Sequence, residues 1–271
     1  MNKTILIPTD FSKVCDNAVN HGAKIAQTIG ARLVILHVLN ADSKKYLKKN
    51  NLTKAYIDDQ LSETQKQLEK AYGIIVHTTQ QEGKLNPIIA KVSKHVNASI
   101  IVFGTHGKTG MQNITGSHAM KLIHSVNIPV LVVQKRTFGM GYFKIVFPIN
   151  VSTNYDIKID WTIFIANAFH AQVDIFSMKT ENVQIQGAMD TLIKDITTRF
   201  DAHQVQFTIN QAAKGIDFPH QINEFAVSNN ADLIMIKVDN DEFEPSFILG
   251  AQEEKMIFNS SQIPVFCAQN K

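Results

Sequence analysis

The 271-residue chain repeats itself, and that repeat limits what it can fold into. Lys3-Thr4-Ile5-Leu6-Ile7-Pro8-Thr9-Asp10 returns as Lys144-Ile145-Val146-Phe147-Pro148-Ile149-Asn150, the proline displaced by 148 − 8 = 140 positions. Ala31-Arg32-Leu33-Val34-Ile35-Leu36 returns as Ala171-Gln172-Val173-Asp174-Ile175-Phe176, again 171 − 31 = 140 positions on. Asn97-Ala98-Ser99-Ile100-Ile101-Val102 matches Asn230-Ala231-Asp232-Leu233-Ile234-Met235 at 230 − 97 = 133, and Asn127-Ile128-Pro129-Val130 matches Gln262-Ile263-Pro264-Val265 at 262 − 127 = 135. Matches in one order with a small drift indicate a tandem duplication with a few residues gained or lost in connections. The expected domains are 1–135 and 142–271, joined by a linker over Lys135 to Gly141. Each is within the size of about 100–150 residues that supports its own core.

Within the first copy, short apolar runs alternate with helical patterns. Thr4 to Ile7, Arg32 to Val38, Ile74 to Thr78, Ser99 to Phe103 and Pro129 to Val133 read as strands. Between them, Val14, Ala18, Ile25 and Ile29 mark one helical stripe ending at Gly30. Tyr46 to Tyr72 reads as one long polar helix, and Asn86-Pro87 opens another, with the proline early where its missing N–H is harmless. Alternation of this kind predicts an α/β fold, a mainly parallel sheet covered on both faces. Ligands then bind at the carboxyl ends of the strands.

One stretch stands apart. Gly104-Thr105-His106-Gly107-Lys108-Thr109-Gly110 and Gly116-Ser117 follow an apolar strand and precede a helical pattern. Strand, glycine-rich loop and helix turn backbone N–H groups and a helix N-terminus toward an anion. Glycine lets a phosphate approach the backbone and permits φ > 0. The stretch lacks the Gly-Lys-[Ser/Thr] of a Walker loop, and it follows a late strand without the Gly-x-Gly of a dinucleotide fingerprint.

Each residue also has a plainer reading. Gly104, Gly107 and Gly116 serve equally as turn glycines. Asp10 is a helix cap or an acceptor for a ribose hydroxyl or an adenine amino group. Val38 is a strand end or a backbone contact to a base. His106 is a solvated loop histidine or a phosphate donor, and Lys108 a mobile surface cation or a phosphate neutraliser. His118 stands in the first turn of the following helix, where a ring N–H reaches an anion. Lys44, Lys45, Lys48 and Lys49 read as a solvated helix face, and Trp161 with Ile165 as core.

The second copy has changed at the loop. Lys237, Val238, Asp239 and Asn240 replace Gly104, Thr105, His106 and Gly107, with Asp241, Glu242, Glu244 and Pro245 following. Asp10 becomes Asn150. Carboxylates there would repel a phosphate, so the second copy is expected to serve in structure or pairing.

A net charge of +3 argues against a dedicated nucleic-acid surface. The two cysteines, Cys15 and Cys267, form neither a metal-ligand spacing nor a disulfide framework. No apolar run approaches the roughly 18 residues that span a bilayer, and no signal-peptide pattern opens the chain. A cytoplasmic protein without membrane contact is expected. The first copy shows no nucleophile–base constellation, paired carboxylates or metal-ligand set. It reads as a binding module, not an efficient enzyme.

Ile5-Leu6-Ile7-Pro8-Thr9-Asp10-Phe11-Ser12, Val102-Phe103-Gly104-Thr105-His106-Gly107-Lys108-Thr109-Gly110, Gly116-Ser117 and Ile128-Pro129-Val130-Leu131-Val132-Val133 resemble the universal stress protein family. The resemblance extends over both copies, strongly in the first and weakly in the second. It implies two open five-stranded parallel sheets, each in the order 3-2-1-4-5 with helices on both faces. It also implies an intramolecular pseudo-dimer through the last strands, with homodimerisation of the chain as a further expectation. ATP-binding members carry Gly-x2-Gly-x9-Gly-[Ser/Thr]. Carried over, Asp10 and Val38 would contact the adenosine part of ATP, ADP or AMP, with Mg²⁺ accompanying ATP, and Gly104, Gly107, Gly116 and Ser117 would form the phosphate cradle. Pro8, Thr9, Thr105, His106, Lys108 and His118 complete the expected nucleotide-binding set. Here eight residues, 108 to 115, separate Gly107 from Gly116, one fewer than the pattern. The function implied is a stress-response module that signals or protects through partners; a nucleotide-free scaffold is the alternative.

Overall fold

The computed structural model describes residues 3–105, 116–150, 155–214, 217–238 and 255–269. The chain divides into two compact units, one closing at Phe138 and the next opening at Gly139.

The first unit runs β1 (Thr4–Pro8), α1 (Lys13–Ile29), β2 (Arg32–Leu39), α2 (Ala41–Lys49), α3 (Lys54–Tyr72), β3 (Val76–Glu82), α4 (Leu85–His95), β4 (Ile100–Gly104), α5 (Gly116–Ser125) and β5 (Val130–Val133). The strands are parallel and ordered β3-β2-β1-β4-β5. Chain order runs outward from β1 in both directions. Right-handed crossovers therefore put the helices between β1, β2 and β3 on one face and those between β3, β4 and β5 on the other. Ile5, Leu6, Ile7, Leu33, Ile35, Ile101 and Val102 are wholly buried. Continuous apolar strands of this kind suit a sheet covered on both faces, each such side chain contributing about 1.5–3 kcal/mol.

The second unit repeats the plan with β6 (Lys144–Ile149), α6 (Asp156–Phe169), β7 (Gln172–Ser177), α7 (Val183–Ala202), β8 (Gln206–Gln211), α8 (Phe218–Ser228), β9 (Leu233–Val238) and β10 (Val265–Gln269). Its strands are parallel in the order β10-β9-β6-β7-β8, the order of the first unit read from the other side.

Three local expectations change. The helix expected over Tyr46 to Tyr72 is two helices, α2 and α3. Asn40 caps α2 by accepting from Ser43 N at 2.9 Å, and Asn51 takes a left-handed φ of 53°, which ends one helix before Thr53 starts the next. The third strand begins at Val76, two residues after Ile74, and continues through polar residues to Glu82. As an edge strand it pairs with β2 along one side, so polar residues fit it to its end. The expected linker is partly tied down: Asn17 Nδ2 donates to the Gln134 and Arg136 carbonyls at 2.7 and 2.8 Å, and His21 Nε2 lies 3.0 Å from the Arg136 carbonyl.

α1 lies close on the sheet because it carries Gly22, where a Cβ would fall 2.2 Å from Ile7 Cδ1. In the second unit, Lys158 of α6 stands at the position of Ala18 (158 − 140 = 18) and is 2% exposed. Its ammonium donates to the Pro148 carbonyl and lies 3.9 Å from the Phe147 ring centre. Burial pushes its pKa well below the ordinary lysine value, with Lys237 adding to the effect. The aromatic faces favour the charged form, but a cation–π contact of about 2 kcal/mol does not offset a desolvation of several kcal/mol.

A lysine depressed in the folded state holds fewer protons than the unfolded chain up to pH 10.5. Its stability term is complete above that value and shrinks as pH falls. Relative to Lys158→Met, wild-type stability should therefore rise between pH 8 and 10, by up to about 1.4 kcal/mol per pH unit. Urea titrations read by Trp161, the single tryptophan, report on this unit, where its ring lies 5.4 Å from that of Phe266. Parallel pH profiles for the two proteins would contradict the burial argument.

Candidate functional site

In the first sheet, the neighbours β1 and β4 leave in opposite directions across the order, so a crevice opens between their carboxyl ends. The β1–β4 ladder ends with Leu6 paired to Ile101, so Pro8, Thr9 and Asp10 and the Gly104–Thr105 end of β4 lie at the same carboxyl edge of the sheet.

Thr9 is buried and fixed at both backbone atoms. Its N–H donates to the Leu36 carbonyl at 2.8 Å, and its carbonyl lies 2.9 Å from His37 Nδ1. A carbonyl only accepts, so Nδ1 carries the ring proton. In the neutral ring Nε2 then accepts from the Ser43 hydroxyl, 3.2 Å away, in competition with the Val38 carbonyl at 3.3 Å. Burial pushes the His37 pKa down against the Thr9 carbonyl and the Asp10 charge, which favour the protonated ring. Phe11 stacks on His37 at 5.1 Å with a φ of 60°, a left-handed conformation that costs a bulky residue about 1–2 kcal/mol. Strain of that kind is retained where surrounding packing over-determines the backbone.

Asp10 is 2% exposed, and its Oδ1 accepts from Ser12 N at 3.0 Å. Ser12 is the N-cap of α1, accepting from Cys15 N at 3.4 Å. Asp10 and Ser12 thus cap the start of α1 in series. Burial, followed by the Asp10 charge, raises the Cys15 thiol pKa, so this cysteine is no activated nucleophile.

Gly104 has a packing reason to be glycine. A Cβ there would lie 2.9 Å from the Val14 carbonyl oxygen and 3.2 Å from Cys15 Cα, so the end of β4 abuts the first turn of α1. Val38 is buried, and its carbonyl accepts from Asn40 N at 2.9 Å. His118 is half-buried in α5, and its carbonyl accepts from Asn86 Nδ2 of α4 at 3.1 Å, which holds the first turn of α5. Gly116 opens α5. His106, Gly107 and Lys108 lie outside the described residues, as does the Ser117 side chain. So do Asp239, Asn240, Asp241, Glu242, Glu244 and Pro245 of the second unit.

Thr105 is wholly buried. Its N–H donates to the Val133 carbonyl at 3.0 Å, but its hydroxyl oxygen has no hydrogen-bond partner among the described residues. Asn86 Oδ1 is also buried without a partner, yet it recurs in the second unit as Asn223 Oδ1 (223 − 86 = 137). Asn223 Nδ2 donates to Lys255 O as Asn86 Nδ2 does to His118 O (255 − 118 = 137). That pair belongs to the fold. Thr105 has no such twin: the second unit has Val238 there (238 − 133 = 105).

The second unit also closes the place equivalent to Asp10. The Tyr155 hydroxyl donates to Asn150 Oδ1 at 2.6 Å and lies 3.0 Å from Asn150 N, with Lys158 on Pro148 beneath. Sequence reading missed Tyr155 and Lys158, and in the first unit Phe11 and Ser43; the positive φ of Phe11 has no sequence signal in a non-glycine residue. Among the described residues no group of three or more His, Cys, Asp or Glu is placed to hold a metal ion, and no helix is long and apolar enough to cross a membrane.

Two substitutions separate packing from ligand contact. Thr105→Val keeps the shape and removes the orphaned hydroxyl, so it should stabilise the unliganded chain by about 1 kcal/mol in urea titrations read by circular dichroism. Gly104→Ala should destabilise it by about 1–3 kcal/mol, because the opposing atoms are backbone.

The sequence profile of the universal stress protein family matches residues 1–134. A universal stress protein of Methanocaldococcus jannaschii is 33% identical over 141 residues, 49% of this chain and 82% of that relative. A second from the same organism is 30% identical over 160 residues, 50% of this chain and 97% of that protein. The crystal structure of a universal stress protein from Archaeoglobus fulgidus superposes with a TM-score of 0.78 over 99% of this chain and 98% of its own, at 18% identity, which speaks to fold alone. With the matching profile, the matched relatives and the doubled α/β plan, the chain belongs to the universal stress protein family.

Proposed function

We propose that the first unit binds one adenine nucleotide, ATP, ADP or AMP, in the crevice at the carboxyl ends of β1 and β4, and that the chain is a stress-response binding module acting through partners. The observation that carries this reading is the Thr105 hydroxyl, buried and without a partner among the described residues at the switch point of the sheet, where the second copy has Val238. A buried hydroxyl without a hydrogen bond costs about 1–3 kcal/mol, and a ligand hydroxyl or phosphate oxygen arriving there relieves that cost.

In this reading Thr9, Asp10 and the Val38 backbone border the adenosine part beside Pro8. Gly104, Thr105, His106, Gly107, Lys108, Gly116, Ser117 and His118 border the phosphates, with Mg²⁺ accompanying ATP. The N-terminus of α5, opening at Gly116, supplies the partial positive charge that suits a phosphate. The second unit takes no nucleotide, because Tyr155 and Lys158 hold the backbone of Asn150 and Pro148 and Val238 offers no hydroxyl. One ligand per chain is expected.

A nucleotide-free scaffold is the second reading, and three observations favour it. Asp10 Oδ1 caps the turn into α1, the Val38 carbonyl is engaged, and Gly104 is required by packing. Calorimetry with ATP, ADP and AMP separates the two. The wild type should bind one equivalent, Thr105→Val should bind about tenfold more weakly, and Gly116→Val should not bind. Absence of binding by a folded wild type would leave the scaffold reading. Turnover of ATP that vanishes in Gly116→Val would add slow hydrolysis to the module.

A further inference from the structure

A second concavity of about 400 Å³ lies in the first unit, between β2, β3 and α4. Arg32 begins β2, His77 is the second residue of β3, and His95 ends α4. The cationic part of the cavity is therefore at the amino ends of the strands, the opposite end from Asp10 and Thr105. Val34, Val92 and Val96 form its apolar wall beside Thr78, Thr79 and Gln81 of β3, and no aspartate or glutamate lines it.

Arg32 is half-buried and held in place: its Nε donates to the buried Thr4 hydroxyl at 2.8 Å. Its two terminal nitrogens have no hydrogen bond or ion pair among the described residues, and neither do the exposed imidazoles of His77 and His95. A guanidinium fixed through Nε presents its remaining N–H groups as a planar fork, which a carboxylate meets with two parallel hydrogen bonds. The volume falls within the range of small-molecule sites, and the valine walls suit a short apolar body.

The duplication shows that the fold does not require this arrangement. At the positions of Arg32 and Val34 the second unit has Gln172 and Asp174 (32 + 140 and 34 + 140). Val34 pairs with His77 in one sheet, and Asp174 with Thr208 in the other. There the Thr208 hydroxyl donates to Asp174 Oδ1 at 2.7 Å, a closed pair with no cation. The first unit keeps an open fork where the second is internally satisfied.

We propose that this cavity binds a small monocarboxylate with a branched aliphatic body, its carboxylate on the Arg32 fork and its body against Val34, Val92 and Val96. His77 and His95 supply further N–H donors at the rim. The site is separate from the nucleotide crevice, and its test involves no nucleotide.

Amide NMR titration of the full chain with 3-methylbutanoate, its neutral amide, acetate and inorganic phosphate tests the proposal. The expected result is saturable shifts with 3-methylbutanoate confined to β2, β3 and α4, weaker ones with acetate, and none with the amide. Arg32→Gln should weaken binding about tenfold or more, the loss of one charge-assisted pair. Because Arg32 also anchors Thr4, two further variants guard against misfolding. His95→Gln, at an exposed position, should weaken binding a few-fold, and Val96→Phe should abolish it by filling the cavity with Arg32 intact. No saturation by the folded wild type would overturn the proposal. Equal response to phosphate and 3-methylbutanoate would overturn it too, as would unchanged affinity in Arg32→Gln and Val96→Phe.

Discussion

The first unit depends on one backbone contact, the end of β4 set against the first turn of α1. Gly104 allows it, since any side chain there would meet the Val14 carbonyl at 2.9 Å. For α1 to arrive there, its helix must start at Ser12, which requires the Asp10 carboxylate on the Ser12 N–H and a left-handed Phe11 to turn the chain. Phe11 in turn rests on His37, which is fixed by Thr9 and Ser43. The crevice walls are thus one continuous set of hydrogen bonds and packed rings. Asp10 and Gly104 have structural tasks whether or not a ligand is present, and the Thr105 hydroxyl lies among them without one.

Much of this was legible in the residues. Short β-branched runs such as Ile5-Leu6-Ile7, ended by Pro8, and Ile100-Ile101-Val102 read as strands covered on both sides, and their alternation with helical stripes gives a parallel sheet. The repeat gives the second unit at once. Less was legible where the decision is tertiary. Asn51 breaks a helix by adopting a left-handed φ that a polar helical pattern does not announce. The polar run Thr78 to Glu82 is a strand because β2 offers it a partner, and nothing in its own composition says so. Glycine at 104 was visible, but composition does not distinguish a glycine made necessary by a neighbouring helix from one that admits a phosphate.

The two copies act as each other's control. What both retain, the Asn86 and Asn223 amides on the following helix, belongs to the architecture. What differs marks divergence of task. Ala18 has become Lys158, Asp10 has become Asn150 under the Tyr155 hydroxyl, and Thr105 has become Val238. At two of these places the second copy is internally satisfied, Asn150 by the Tyr155 hydroxyl and the position of Thr105 by an apolar Val238. The same contrast appears at the amino ends of the strands, where Asp174 and Thr208 satisfy each other while the two terminal nitrogens of Arg32 meet no acceptor among the described residues.

The tie between α1 and the chain beyond β5 sets where the first unit can be cut free. Asn17 and His21 are buried, and their side chains meet the Gln134 and Arg136 carbonyls, with the Phe138 ring 5.1 Å from His21. His21 is also kept neutral in ordinary buffers, burial lowering its pKa to about 4. A fragment ending at Val133, where the last strand stops, would strand a buried amide and a buried imidazole in the middle of the helix that shapes the crevice. The smallest self-sufficient piece of the duplicated ancestor therefore extends to Phe138. In this fold a domain's edge lies where its buried polar groups are last answered, several residues past its last strand.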